Sequence, residues 1–412
     1  MGAIDVMILD CGMPLLVERI DGVRSCGLTW LLPAGSARDP NDQQGLSALW
    51  AELLSRGAGN LDSRAQADAF DRLGVSRGTG VETFHMSVTA TLLGSRLKDA
   101  LPLIVDMVRR PRMDADALGP ARDLCVQAIE SLKDDPAERL MTLLKGWHAP
   151  EPINRSPLGT LEGIGRVRHE DLLPLWHQRA TPRGSIIALA GDVEAAAAAS
   201  QLNALLKGWD GPSTEVAWGS PTTRGYHHEM DQTNQVHIAI ALDAPAESDA
   251  GCWPERIATA VLSGGMSGRL FTEVREKRAL CYSVYASYAA DAKYGRTVAY
   301  VGTTPDKAQQ SLDVLLAELR RVLTHEGRIT PEEFQRAVIG MKSKLVMSGE
   351  SSAARANALA RDWWKLRRPR TLEELTRTID AVTLDQVNAH LAQRTHGEIT
   401  IATIGPGPLR AG

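Results

Sequence analysis

The chain carries one structural plan twice, and this repetition constrains its fold more than any other feature. In the first half, the run DALPLIVDMVRR (99–110) predicts a helix and is followed by a second helix, ADALGPARDLCVQAIESL (115–132). In the second half, SLDVLLAELRRVL (311–323) leads through a loop to TPEEFQRAVIGMKSKLV (330–346). Leu118 and Phe334 hold matching places, an offset of about 216 residues. The halves also close alike, on the apolar strands SIIALAGDV (185–193) and EITIATIGPG (398–407). So long a period excludes a solenoid and predicts duplicated domains.

Between the halves, GWDGPSTEVAWGSPTTRG (208–225) is dense in Gly, Pro, Ser and Thr and reads as a linker. The expected division is a first domain at 1–207, the linker at 208–225 and a second domain at 226–412. Thr330-Pro331-Glu332-Glu333 has the threonine, first-turn proline and reciprocal glutamate of a capping box, and Thr371…Glu374 and Thr383…Gln386 repeat the pattern. Strands such as VHIAIAL (236–242) and RTVAYVGT (296–303) alternate with turn signals, while helices come in consecutive runs. The predicted class is α+β: two homologous domains, each a largely antiparallel sheet with helices packed on one face.

Composition narrows function by exclusion. At 412 residues the chain is too long for one ordinary core, and 43% hydrophobic with 23% charged residues is globular. A net charge of −4 points to neither nucleic acid nor a membrane surface as partner. The five cysteines (Cys11, Cys26, Cys125, Cys252, Cys281) are scattered without CxxC spacing, which fits a reducing compartment and offers no metal knuckle. The N-terminus lacks a basic, apolar leader and begins as strand, Gly-Met-Pro turn and strand. No window approaches the roughly 18 apolar residues of a membrane span. The expected location is cytoplasmic, or periplasmic if a signal peptide has been removed.

Chemistry concentrates in Ser263 to Tyr288, SGGMSGRLFTEVREKRALCYSVYASY, where Arg275 and Tyr282 stand seven residues apart. Composition alone makes Arg275 part of a solvated charge run and Tyr282 an ordinary strand residue, although five of the six tyrosines fall in this region. Together with DQTNQVHIAIALDAP before it and VGTTPDKAQQSLDVLLAEL after it, this segment resembles the C-terminal domain of the pitrilysin/insulinase family of zinc peptidases. The first half follows the family's N-terminal domain in order and spacing, so the likeness spans nearly the whole chain. The RLF…REKR…L.Y run is its specific part.

Active members of that family carry H-x-x-E-H on an N-terminal-domain helix, where two histidines one turn apart bite one metal and the glutamate activates its water. The matching helix here is GLSALWAELLSRGAG (45–59). Aligned through Gly45-Leu46 and Arg56-Gly57, the first histidine becomes Ala48, the glutamate Ala51 and the second histidine Glu52. Positions 48, 51, 52 and 55 share one face, leaving Leu46, Leu49, Trp50, Leu53 and Leu54 for the buried face. The family's third ligand, a glutamate about 80 residues on, falls at Ala128 in Val126-Gln127-Ala128-Ile129. One carboxylate cannot hold catalytic zinc, so no metal and no cofactor is expected in this chain.

Other motifs read as structural. His227-His228-Glu229 is expected as an exposed pair at a loop or strand start. His169-Glu170 and His325-Glu326 begin like HExxH but meet Leu173 and Ile329 where the second histidine belongs. Gly264-Gly265-Met266-Ser267-Gly268 lacks the Lys-Ser/Thr of a phosphate cradle and reads as a flexible turn. WWKLRRPR (363–370) reads as a helix end with snorkelling side chains.

The resemblance gives Arg275 and Tyr282 a role. In the family, an Arg and a Tyr at this spacing face the zinc-bearing domain, holding the substrate carbonyl and its oxyanion. Some bacterial relatives divide the labour between two chains, one with the zinc helix and one with the Arg and Tyr. The resemblance therefore implies a non-catalytic subunit of a heterodimeric zinc peptidase acting on peptides, inactive alone, with zinc in a homologous partner. The alternative is a scaffold or peptide-binding subunit with the same fold and no part in proteolysis.

Overall fold

The computed structural model describes residues 3–213, 215–219, 223–395 and 397–411. The chain forms two compact units: Met1–Ser131 with Pro150–Ser220 and Ser348–Thr371, and Leu132–Ala149 with Pro221–Met347 and Leu372–Gly412. Helix Pro136–His148 lies within the expected first domain and helix Ser352–Leu366 within the expected second, yet the compact units hold them the other way round.

The first unit is built on β1 (Ile4–Ile8), β2 (Pro14–Arg19), β3 (Ser25–Leu32), a small hairpin β4 (Gly57–Ala58) and β5 (Leu61–Asp62), β6 (Ser76–Val81), β7 (Met86–Leu93) and β8 (Ile186–Gly191). The main sheet runs β1-β2-β8-β3-β7-β6, antiparallel except for β2 beside β8. β8 is buried on both faces, which explains its unbroken apolar sequence IIALAG. One face carries the main core, where Leu46, Leu49 and Trp50 meet Ile104, Leu172 and Trp176 from neighbouring helices.

The other face is covered by helix Ser352–Leu366, whose Ala356, Leu359 and Ala360 pack on Leu16, Leu31, Ile186, Ala188 and Ala190. Its start lies so close to β3 that a Cβ on Gly27 would stand 2.5 Å from the Ser352 carbonyl carbon. Only glycine permits that approach. Arg355 on this helix pairs with Glu18 of β2, Nη2 to Oε2 at 2.5 Å, both side chains under 5% exposed.

The second unit contains β9 (Gly225–Met230), β10 (Val236–Ala244), β11 (Cys281–Ala290), β12 (Gly295–Thr303) and β13 (Thr400–Gly405), ordered β11-β12-β10-β13-β9. Only β13 and β9 run parallel. Read from β9, this order reproduces β2-β8-β3-β7-β6, with the parallel pair in the same place. The duplication seen in sequence is therefore a duplication of topology.

Alternation sorts the strand residues. Val236, Ile238, Ile240 and Leu242 enter a core with Leu262, Leu270, Leu312 and Leu315, while Ala239 and Ala241 turn to the opposite face. There Leu140 and Leu144 of helix Pro136–His148 cover them together with Tyr300 and Ile404. The α+β class with two related domains thus holds, and each sheet gains one further helix on its second face. Capping is as the sequence implies at two sites: Thr330 with Glu333, and Thr383 with Gln386, exchange reciprocal bonds.

Candidate functional site

Arg275 and Tyr282 both lie in irregular backbone. After helix Cys252–Ser263 the chain makes a turn in which Gly265 has φ 135°, a left-handed conformation that glycine adopts without strain. Phe271–Glu276 then winds as a π-helical turn, with Lys277 N–H donating to Thr272 O, five residues back, at 2.9 Å. Such turns concentrate at functional positions, because their extra residue re-aims a side chain. Arg269 anchors the segment: it is 7% exposed, forks onto both Glu333 oxygens at 2.7 Å, and donates to the Gly327 and Arg328 carbonyls.

The charge run EVREKR is not uniformly solvated. Glu273 takes Lys277 and Arg278, each at 2.7 Å, and these cations hold its carboxyl below the usual range. Arg275 is left exposed with no ion pair among the described residues, its guanidinium 4.9 Å above the Phe271 ring. That stacking fixes the stem while the donors stay available.

Tyr282 stands on β11, the edge strand. The β11–β12 register passes from Cys281 opposite Thr303 to Ser283 opposite Gly302, so Tyr282 is the extra residue of a β-bulge. A bulge leaves its residue unpaired and turns it out of the sheet, and Tyr282 is 78% exposed. Burial pushes the neighbouring Cys281 thiol up to about 11, and the Arg275 charge pulls it partly back. Arg275 therefore lies within electrostatic reach of the residue next to Tyr282. Arg275 and Tyr282 are thus both exposed, one on the π-helical turn and the other on the bulged strand that follows it, and both carry hydrogen-bond donors.

Helix Leu46–Leu53 buries Leu46, Leu49, Trp50 and Leu53, with Leu54 buried just beyond, as its periodicity implies, and turns Ala48, Ala51 and Glu52 to a half-buried face. Its first turn is capped from outside: Asp39 accepts from Gly45 N, Ser47 N and Ser47 Oγ. Burial nevertheless pushes the Asp39 carboxyl up to about 6, against the pull of these donors. Ala128 lies on the half-buried side of helix Ala115–Glu130, one turn from Cys125. Burial raises the Cys125 thiol to about 11, and the Glu52 charge adds to the shift. Ala48, Ala51 and Glu52 thus lie on one helix and Ala128 on another that packs against it. Among the described residues, no group of three or more His, Cys, Asp and Glu could hold a metal.

The remaining motifs resolve as structure. His227 and His228 are half-buried in β9 rather than exposed; His227 stacks on Trp147 at 4.4 Å, and His228 Nδ1 meets Thr403 Oγ1 at 2.9 Å. His169 Nε2 bonds Met113 O at a helix start. In the basic-aromatic cluster, Arg370 pairs with Asp362 and Arg367 lies over Trp364, at the end of helix Ser352–Leu366. Phe271, the support under Arg275, escaped the sequence reading, although its i, i+4 spacing to Arg275 was visible.

Comparison with known proteins agrees with this architecture. Residues 16–151 match the family described as Insulinase (Peptidase family M16), and residues 166–341 match the Peptidase M16 inactive domain. An uncharacterized zinc protease of Mycobacterium tuberculosis is 26% identical over 408 residues, covering 96% of this chain and 91% of the relative. One from Bacillus subtilis is 24% identical over 409 residues, covering 96% of each. Among solved structures, a peptidase M16 inactive domain from Pseudomonas fluorescens superposes with TM-score 0.88 at 21% identity over 99% of both chains. A chain of complex III2 from Candida albicans gives 0.84 at 17% identity over 98% of this chain and 96% of that one. The Mycobacterium tuberculosis and Bacillus subtilis relatives are called zinc proteases, but the residues here do not fit the metal. Ala48, Ala51 and Ala128 offer no donor atom, and Glu52 alone cannot supply the three protein ligands of a catalytic zinc.

Proposed function

The chain belongs to peptidase family M16, the insulinase family, and on that footing we propose that it is the non-catalytic subunit of a heterodimeric zinc peptidase. A homologous partner supplies the metal helix, and this chain supplies Arg275 and Tyr282. The observation that carries the proposal is the pairing of opposites: alanines where the ligands belong, and two donors displayed by irregular backbone. A π-turn and a bulge are less regular than the ladders they interrupt, and packing alone gives no reason to aim an unpaired guanidinium and a phenol into solvent.

The chemistry follows from the donor types. A guanidinium and a phenol can both donate to an oxygen on which negative charge develops during attack on a peptide carbonyl. In water such bonds are weak; enclosed by a partner and a peptide substrate, they gain strength as the local dielectric falls. Removing one donor then costs on the order of 3 kcal/mol of transition-state stabilisation. No helix among the described residues is long and apolar enough to cross a membrane. Cytoplasmic placement, or periplasmic after signal removal, remains part of the proposal.

A second reading has one observation behind it, the fold match to a chain of complex III2 from Candida albicans. It makes this chain a scaffold or peptide-binding subunit whose Arg275 and Tyr282 are incidental. Co-expression with an H-x-x-E-H-bearing family member separates the two. The proposal expects co-purification and peptidase activity that neither chain shows alone. A stable complex whose activity equals that of the zinc chain by itself would support the scaffold.

A further inference from the structure

Most arginines with buried side chains in this protein are spent on carboxylates. Arg355 takes Glu18, Arg370 takes Asp362, Arg224 takes Asp243 and Arg269 takes Glu333. Arg179, at the end of helix His169–Arg179, breaks the pattern: half-buried, its side chain has no hydrogen bond or ion pair among the described residues. It faces a cavity of about 510 Å³ that Arg38 also lines, together with Pro33, His177, Pro212 and Ser213.

Two guanidiniums at one cavity repel each other. Burial makes both arginines less basic than usual, and Arg179 lowers Arg38 further. Asp39 acts on Arg179 at a distance and offsets part of its loss of basicity, while its carboxylate oxygens accept from Gly45 and Ser47 rather than from either guanidinium. Behind Arg38 the field stays positive: His85 is held down to about 3 by burial and by Arg38, Arg361 and Arg367, and of these Arg361 is matched by Glu82. The hydroxyls of the cavity are partly engaged, Thr181 donating to the Arg183 and Pro212 carbonyls and Ser213 Oγ accepting from Arg38 at 3.5 Å.

We propose that this cavity binds a small organic phosphate, with its oxyanion between Arg38 and Arg179. A doubly charged, multi-oxygen group suits two guanidinium forks. The volume exceeds that of a bare ion, and Pro33 and Pro212 give the organic remainder apolar walls. The site lies wholly in the first unit and does not depend on Arg275, Tyr282 or any metal.

Isothermal titration calorimetry on the full chain at fixed ionic strength tests it, with inorganic phosphate, phenyl phosphate and benzoate as probes. Phenyl phosphate should bind saturably and tighter than inorganic phosphate, with benzoate well behind. Arg179→Gln should weaken binding about tenfold or more without lowering the unligated melting temperature. Arg179→Lys, which keeps the charge but not the fork, should fall between, and the distant control Lys344→Gln should bind like the wild type. Absence of saturable binding by the wild type would overturn the proposal. So would equal binding of benzoate and phenyl phosphate. An Arg179→Gln variant that melts lower yet binds as before would mark the residue as structural and sink it too.

Discussion

Removing the carboxylate of Glu18 should loosen the first unit more than any surface change. Glu18 Oε2 receives both Arg355 Nη2, at 2.5 Å, and Arg355 Nε, at 2.7 Å, with the two side chains 4% and 3% exposed. Glu18→Ala leaves a guanidinium buried with one long bond to the Arg370 carbonyl, 3.3 Å, as its remaining contact of this kind. Breaking a buried pair from one side costs about 3–5 kcal/mol, because the stranded charge keeps its desolvation penalty. For a unit of this size, each kcal/mol moves the midpoint by roughly 2–4 °C, so the first transition should fall by roughly 6–20 °C. Calorimetry should see this as one shifted transition, and urea titration followed by the fluorescence of Trp363 and Trp364, on the same helix, should give the free energy. The exposed pair Lys342–Asp380, with side chains 37% and 50% exposed, is the internal control. Lys342→Ala should cost under about 1 kcal/mol. The double replacement Glu18→Leu with Arg355→Met should recover most of the loss, since a matched apolar pair carries no desolvation penalty. A Glu18→Ala variant no weaker than Lys342→Ala would refute the view that this pair docks the helix.

Three further outcomes can be checked separately. Gly27→Ala should cost about 1–3 kcal/mol by overpacking, because its Cβ would meet backbone of Ser352 that cannot swing aside; a neutral result by urea titration would contradict the close approach. Asp39 has a carboxyl raised to about 6, above its usual unfolded value, so the folded state binds the extra proton between roughly pH 4 and 6. Wild-type stability should therefore fall as pH rises through that window, by about 2–3 kcal/mol relative to Asp39→Asn, and parallel pH profiles of the two proteins would disprove it. Finally, the combined replacement Ala48→His, Ala51→Glu, Glu52→His and Ala128→Glu should raise zinc content, measured by mass spectrometry, from none to about one equivalent. Failure to gain zinc would mean the facing helices no longer present the metal geometry.

The local code of this chain is easier to read than its partnerships. The buried stripe of helix Leu46–Leu53 and the capping boxes at Thr330 and Thr383 depend on residues a turn or two apart, and both were legible. Helices Pro136–His148 and Ser352–Leu366 show a different limit. Their apolar faces say that each must be buried, but not that each covers a sheet from the other half of the sequence. The same limit applies to the sites. Arg275 and Tyr282 were visible as a spacing, yet the π-turn and bulge that turn them outward arise from backbone pairing, which one strand's sequence does not disclose. Arg38 and Arg179 belong to separate segments and meet only once the chain has folded.

The central claim is that Arg275 and Tyr282 complete an active site whose metal lies in another chain. Steady-state kcat/KM of the complex with an H-x-x-E-H-bearing partner, for wild type, Arg275→Ala and Tyr282→Phe, tests it most directly. Each variant should assemble normally and lose about a few-hundredfold in kcat/KM, equivalent to about 3 kcal/mol. Undiminished kcat/KM in both variants, with assembly intact, would contradict it.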